Sequence, residues 1–166
     1  EDGIYEWVGK DNVKIFTKDG RVIKTSGLNT DFEIRSPKNI PEIASLRTSS
    51  GNKISNFVSA IDFRSLFFSD KDTEAAHEYF ELIDLYQPDL FNATLRTLYS
   101  ARTESIERFG ELVNVQEIEQ IASIDSIAWS ERNYFYADEK TGRILKSSQK
   151  LHPRLARVYI DFFYKF

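Results

Sequence analysis

Val13-Lys-Ile-Phe-Thr-Lys-Asp-Gly-Arg-Val-Ile-Lys-Thr25 places an Asp-Gly pair between two runs of β-prone residues. Glycine adopts a positive φ at little cost, and type I′ turns need a positive φ at both central positions. The segment therefore predicts a tight β-hairpin with its turn at Asp19 and Gly20.

A second segment of this kind, Tyr-Phe-Tyr-Ala-Asp-Glu-Lys-Thr-Gly-Arg-Ile-Leu-Lys-Ser over residues 134–147, predicts a hairpin with a longer turn. The two segments align without gaps at an offset of 122 residues, which superimposes Trp7 on Trp129 and Gly20 on Gly142. The ends are either related halves of one sheet or chance recurrences of ordinary hairpin chemistry. We favour related halves because the Trp positions also match, and we expect both Trp side chains to pack into the core.

The residues between the hairpins give mixed patterns. Residues 32–34 predict a short strand, residues 54–68 one long strand or a bent pair, and residues 93–100 another strand. Residues 105–127 fit either a strand or a helix, whereas residues 157–166 alternate as a strand does.

Residues 72–86 predict the one substantial helix. Ala76, Tyr79, Phe80 and Ile83 fall at helical spacing behind an acidic start, and Pro88 follows as a stop. Together these patterns predict a single domain over residues 1–166 of the mainly β class, with an antiparallel, barrel-like sheet, repeated hairpins at both ends and one substantial helix. Closure of such a sheet removes its exposed edges.

Composition excludes several function classes. The 166 residues carry 22 basic and 26 acidic side chains, a net charge of −4, which argues against a strongly basic nucleic-acid binder. There is no Cys, which excludes disulfides, thiolate metal sites and Cys nucleophiles. The sequence also lacks a Gly-x-Ser-x-Gly elbow and a Gly-rich nucleotide loop.

Metal and catalytic sites have only weak candidates. His77 and Glu81 would share a face of the predicted helix with Glu74 and could bind a metal ion, but a solvated His on an acidic helix explains the same residues. Paired carboxylates could hydrolyse glycosidic bonds, yet 26 acidic residues offer no basis for choosing a pair. We therefore expect no catalytic residues, no cofactor and no metal ion.

Four residues are candidates for contact with a glycan. Tyr134 and Tyr136 could stack on sugar rings, although alternate aromatic residues of a strand must face the core. Arg21 and Arg143, with Lys24 and Lys146 nearby, could contact an anionic polymer. Alternatively, these four basic residues are exposed strand positions that discourage edge pairing.

Both ends of the chain resemble the YjbF/GfcB family, the group 4 capsule polysaccharide lipoproteins. One signature is Trp7…Asp11-Asn12…Thr17…Gly20-Arg-Val-Ile-Lys-Thr-Ser-Gly27-Leu28, and the other is Trp129…Asn133-Tyr134…Asp138…Thr141-Gly142-Arg-Ile…Lys-Ser147-Ser-Gln149-Lys-Leu151…Pro153. Order and spacing agree at both ends over about a third of the chain. The middle, including residues 72–86, has no counterpart in these signatures.

The resemblance implies a mainly β, exported lipoprotein of the Gram-negative envelope, acylated on a Cys and encoded with capsule or exopolysaccharide secretion genes. The absence of Met and Cys then fits a chain that begins downstream of the leader and the acylated Cys. We expect a non-enzymatic role in capsule or exopolysaccharide assembly or export at the periplasmic face of the outer membrane, with envelope secretion proteins as partners. A glycan-binding module and a carbohydrate-active enzyme are the alternatives.

Overall fold

The computed structural model describes residues 4–35 and 77–163, and these form one antiparallel ten-stranded sheet. The strands are β1 (Ile4–Val8), β2 (Lys14–Lys18), β3 (Arg21–Ser26), β4 (Phe32–Arg35), β5 (His77–Leu85), β6 (Leu90–Arg108), β7 (Glu111–Ile124), β8 (Trp129–Asp138), β9 (Ile144–Gln149) and β10 (Val158–Asp161). They neighbour one another in chain order, and the sheet curls into a half-barrel. The mainly β, antiparallel class is thus confirmed.

Both hairpins form where they were predicted. Asp19 has a φ of 48° and Gly20 a φ of 79°, so the first turn uses the left-handed region at both central residues. The second joins β8 to β9 through a longer turn in which Gly142 has a φ of 68°. The Asp138 carboxylate accepts hydrogen bonds from the main-chain N–H groups of Lys140 and Thr141 there. A common origin of the two hairpins stays a prediction.

The expectation that both Trp residues pack in the core is wrong for Trp7. Its side chain, on edge strand β1, is 46% exposed, and its indole N–H donates to Thr17 Oγ1 at 2.8 Å. Trp129 is partly buried against the core. The two positions differ because Trp7 lies on a separate short strand, whereas Trp129 begins the long strand β8.

The helix predicted over residues 72–86 is wrong where the structure describes it, since residues 77–85 form strand β5 and the described ranges contain no α-helix. Residues 72–76 lie outside the described residues, as does the strand predicted at 54–68. β5 pairs with β4 on one side and with β6 on the other, so its main-chain groups are satisfied by neighbouring strands. Glu81, Ile83 and Leu85 alternate into the interior. Tertiary pairing has overridden the local helical pattern.

The ambiguous region 105–127 is mainly a strand. β6 runs 19 residues, turns at Phe109 and Gly110, and pairs with the 14 residues of β7 in continuous register. The short strand predicted at 32–34 and the strand predicted at 93–100 are confirmed as parts of β4 and β6.

The inner face of the curled sheet holds two buried apolar clusters. The larger contains Val22, Phe32, Ile34, Ile83, Leu85, Ala93, Leu95, Ala122, Ile124 and Leu151, and the smaller contains Tyr99, Ile118, Phe135, Ala137, Ile144 and Phe162. The hairpin β2–β3 turns over this face, because a Cβ built at Gly20 would lie 2.5 Å from the Cβ of Ile144 on β9. Only a glycine allows this close approach.

Candidate functional site

The predicted glycan-contacting tyrosines lie on the outer face of the half-barrel. Tyr134 and Tyr136 alternate on β8 with the fully buried Phe135 and Ala137, so their rings point away from the core and are half-buried. Tyr136 is flanked by Glu117 on β7 and by Lys146 on β9. Burial, followed by the nearby Glu117 carboxylate, raises the pKa of Tyr136.

A third tyrosine, which belongs to the aromatic stretch at residues 159–166 and is not one of the four candidate residues, shares this face. Tyr134 lies opposite Ser148 on β9, and Ser148 lies opposite Tyr159 on β10. Tyr159 is 70% exposed. Neighbouring strands lie roughly 4.8 Å apart, so the two tyrosines are roughly 10 Å apart across the small side chain of Ser148. We call Tyr134, Tyr136, Ser148 and Tyr159 the tyrosine face.

Charged side chains border the tyrosine face. Arg102 on β6 forms an ion pair with Glu117, at 2.7 Å between Nη2 and Oε1, and Arg132 pairs with Glu119 at 2.8 Å. Arg143 lies at the turn of the β8–β9 hairpin, where its side chain is exposed and its main-chain oxygen accepts from Asp138. The structure thus places Arg143 on the same hairpin as Tyr134 and Tyr136, but at its end.

Arg21 is not an exposed strand residue, which corrects the sequence-based expectation. Its side chain is buried on the inner face and donates two hydrogen bonds to Glu81, at 2.9 Å from Nη1 to Oε1 and 2.7 Å from Nη2 to Oε2. Burial alone lowers the pKa of Arg21, but the Glu81 carboxylate outweighs this and raises the pKa above its usual value. Lys24, by contrast, is partly exposed and pairs with Glu33.

The same pair removes the basis of the metal-site alternative. Glu81 lies on a strand rather than on a helix, and its two oxygens are occupied by Arg21. Within residues 4–35 and 77–163, no three His, Asp or Glu side chains come together as a possible metal site.

A chain of buried polar groups continues along the inner face. Gln120 donates to the hydroxyl of Tyr99 and accepts from Asn133 Nδ2 at 2.8 Å, and Asn133 Oδ1 accepts from the main-chain N–H of Lys150 at 2.7 Å. Burial is the main cause that raises the pKa of Tyr99 to about 12, so its phenol stays protonated near neutral pH. Such paired groups rigidify a core and offer few free atoms for chemistry.

Gln149 joins the two ends of the curled sheet. Its amide nitrogen donates to the main-chain oxygen of Gly20, and its amide oxygen accepts from the N–H of Val22, each at 2.9 Å. The side chain is 1% exposed. The described strands β3 and β9 are not paired by main-chain hydrogen bonds, and this one side-chain amide joins β9 to the β2–β3 hairpin instead.

A sequence profile described as "Group 4 capsule polysaccharide lipoprotein gfcB, YjbF" matches residues 1–163 of the chain. The chain belongs to the YjbF family. The resemblance noted at the two ends therefore extends through the middle of this YjbF-family domain. The family description associates it with lipoproteins and with capsule polysaccharide.

A solved structure of another protein shares the fold of this YjbF-family domain. It is the crystal structure of the hypothetical lipoprotein YmcC from Escherichia coli (K12), with 18% identity and a TM-score of 0.65 over 97% of this chain and 76% of that one. No curated protein sequence matches the chain. In the part of the chain that the structure describes, no helix is long and apolar enough to cross a membrane.

Sequence reasoning missed Glu81, Tyr99 and Gln149 as inner-face residues of this YjbF-family domain. Gln149 had one available indication, since it lies within the closing signature. Glu81 and Tyr99 had none, because their partners lie on strands that only the curled sheet brings together.

Proposed function

We propose that this YjbF-family domain is a non-enzymatic component of capsule or exopolysaccharide assembly or export, held by a lipid anchor at the periplasmic face of the outer membrane. The observation that carries the proposal is the family match over residues 1–163. The inner-face acid and phenol support a non-enzymatic role, because Glu81 is neutralised by Arg21 and Tyr99 is already hydrogen-bonded. The partners that fit this role are polysaccharide secretion proteins of the envelope.

A deletion strain tests the role in the pathway. We expect loss or mislocalisation of the surface polymer. A plasmid copy of the full precursor should restore the polymer, and the protein made from it should be found in the outer-membrane fraction. Normal amounts of correctly retained polymer in the deletion strain would overturn the proposal.

The non-enzymatic part needs its own measurement. Purified domain incubated with the polymer should leave the polymer's chain-length distribution and reducing ends unchanged. Cleavage that disappears in a Glu81→Gln variant, while the variant remains folded, would instead identify a carbohydrate-active enzyme.

The second candidate function is glycan binding on the tyrosine face. Tyr134 and Tyr159 flank Ser148 in one cross-strand row, and Tyr136 and Lys146 lie opposite each other in the next row. The gap of roughly 10 Å accommodates one sugar ring between two aromatic rings. Lys146 adds a cation, but Asp161 lies opposite it on β10, so this row carries no excess charge that would select an acidic polymer. Arg21 takes no part, since it is buried on the other face.

Titration with oligosaccharides of the cognate polymer, followed by tyrosine fluorescence, tests this second function. Tyr134→Ala and Tyr159→Ala should each weaken saturable binding at least tenfold. Tyr5→Ala is the matched control, because Tyr5 is 60% exposed on strand β1 and is not part of the tyrosine face. Absence of saturation at millimolar sugar, or equal losses in all three variants, would rule out the tyrosine face as the binding site.

A further inference from the structure

An apolar pocket of about 170 Å³ lies between the hairpin β2–β3, strand β4 and the segment that connects β9 to β10. Its walls are formed chiefly by Ile15, Val22, Phe32, Leu151, Leu155 and Val158. Protein interiors are close-packed, and an empty apolar void of about 150 Å³ is large enough to bind a molecule such as benzene. The pocket is therefore large enough for a small hydrocarbon group.

The polar atoms in the pocket wall already have partners within the chain. Thr25 Oγ1 accepts from the N–H of Phe32 at 3.2 Å, and the Gln149 amide is bonded to the main chain of the β2–β3 hairpin. The Asp31 carboxylate, on the β3–β4 connection, accepts from two main-chain N–H groups. A ligand inside the pocket would thus meet carbon surface rather than free hydrogen-bonding groups.

Positive charge is in excess on the side of the pocket that Arg157 lines. Glu131 is shared by two cations, with 3.4 Å between its Oε2 and Arg157 Nη2 and 3.2 Å between its Oε1 and Lys150 Nζ. These three side chains are between 25% and 28% exposed, so they are accessible to solvent. One carboxylate between two cations leaves one net positive charge beside an apolar cavity.

We propose that this pocket binds the alkyl chain of a single-chain anionic amphiphile, with the acid group held at Arg157. The apolar walls select the hydrocarbon chain, and the excess positive charge selects the anionic head over a neutral one. Free fatty acids and the anionic lysophospholipids of a membrane both have this chemistry. The acid end of the pocket adjoins the tyrosine face, because Arg157 Nη1 donates to the Oγ and the main-chain oxygen of Ser148, each at 3.3 Å. The proposal does not depend on the capsule-related function.

Calorimetric titration of the full chain with hexanoate, octanoate and octan-1-ol tests the proposal. Burial of two further methylene groups should make octanoate bind roughly tenfold tighter than hexanoate. Octanoate should also bind more tightly than octan-1-ol, because only octanoate has the anionic head. Absence of octanoate binding at millimolar concentration, or equal affinity for the acid and the alcohol, would overturn it.

Two variants localise the binding. Arg157→Gln should weaken octanoate about tenfold and leave octan-1-ol unchanged, whereas Arg132→Gln, which removes an exposed cation from the outer face, should change neither. Val158→Phe should abolish binding of both by filling the pocket. If Val158→Phe does not fold, nuclear Overhauser effects between octanoate and the methyl groups of Leu151 and Leu155 in the unmodified protein decide the point, and their absence would refute the site.

A lysophosphatidic acid with an eight-carbon chain distinguishes the two sources of ligand. Tighter binding than octanoate identifies a lipid headgroup, and weaker binding identifies a free fatty acid. Loss of either affinity in Arg157→Gln supports the proposal, whereas affinities that do not depend on Arg157 would contradict it.

Discussion

Replacing Glu81 with Gln should lower the free energy of unfolding by about 3–5 kcal/mol, because it leaves the buried guanidinium of Arg21 without its counter-charge. The structure supports the upper part of the range. The two side chains are 5% and 8% exposed, and a neutral amide can accept only one of the two hydrogen bonds, at 2.7 and 2.9 Å, that the carboxylate accepts from Arg21. Among residues 4–35 and 77–163, the Nε of Arg21 has no hydrogen-bond partner that would compensate for the loss of the carboxylate. A typical domain is stable by only about 5–15 kcal/mol, so this single change should remove a large share of stability.

Urea denaturation followed by circular dichroism measures this loss, provided that the dependence on urea concentration keeps the same slope. Glu119→Gln is the matched control, since Glu119 forms an ion pair of 2.8 Å with Arg132 whose side chains are 27% and 65% exposed. An exposed pair contributes up to about 1 kcal/mol. If Glu81→Gln costs no more stability than Glu119→Gln, the buried pair does not hold the half-barrel together.

The double variant Arg21→Met/Glu81→Leu separates charge from packing. Replacing both ions with apolar groups of similar size removes the desolvation cost together with the attraction, so most of the lost stability should return. A double variant as unstable as Glu81→Gln would show that the geometry of the pair, and not its charge, is required.

Three further outcomes are expected. Gly20→Ala should cost more stability than Gly110→Ala in the same assay. Both glycines have a φ of 79°, so each variant loses about 1–2 kcal/mol to left-handed strain, but only at Gly20 does the new Cβ meet Ile144. Equal losses would contradict this packing. Burial lowers the pKa of His152 from 6.5. The stability that the neutral imidazole contributes is therefore complete above pH 6.5 and is lost as the pH falls through the folded-state pKa. His152→Gln should flatten the dependence of the urea midpoint on pH between roughly 7 and 5. Burial raises the pKa of Tyr99 to about 12, so an ultraviolet titration should show one late-ionising tyrosine that Tyr99→Phe removes.

Local chemistry made the hairpins predictable. The Asp19-Gly20 turn depends on the φ preferences of two adjacent residues, and no distant contact is needed to specify it. The β8–β9 turn is likewise specified by Asp138 and Gly142 within a few residues. The antiparallel class followed from these hairpins and from alternation in the remaining strands.

The helix prediction was wrong because the pattern of residues 72–86 fits the periodicity of a helix and also that of a strand. Tyr79 and Ile83 are four residues apart, a spacing that lies on one face of a helix and also on one face of a strand. Glu81 decides between them, because it points inward with Tyr79 and Ile83 only in a strand. From the sequence alone, a charged residue such as Glu81 indicates an exposed helix position, because the buried partner that stabilises its charge, Arg21, is not yet known.

The burial of Arg21 could not be predicted from the sequence for a related reason. Alternation shows which residues of β3 share a face, but it does not show what covers that face. The partner of the buried Arg21 side chain is Glu81 on β5, which is 60 residues away along the chain. Tyr134 and Tyr136 were better placed by the sequence, because Phe135 between them identifies the inner face of β8 locally.

The inner face contains more polar contacts than a packed core needs, and their distribution explains the curl of the sheet. The Arg21–Glu81 pair joins β3 to β5, and Gln149 joins β9 to the β2–β3 turn; these contacts span 60 and 129 residues of chain. A flat sheet would leave each of these groups without its partner, and a buried polar group without a partner costs about 1–3 kcal/mol. The curled arrangement is therefore the one that brings the Glu81 carboxylate and the Gln149 amide to their partners.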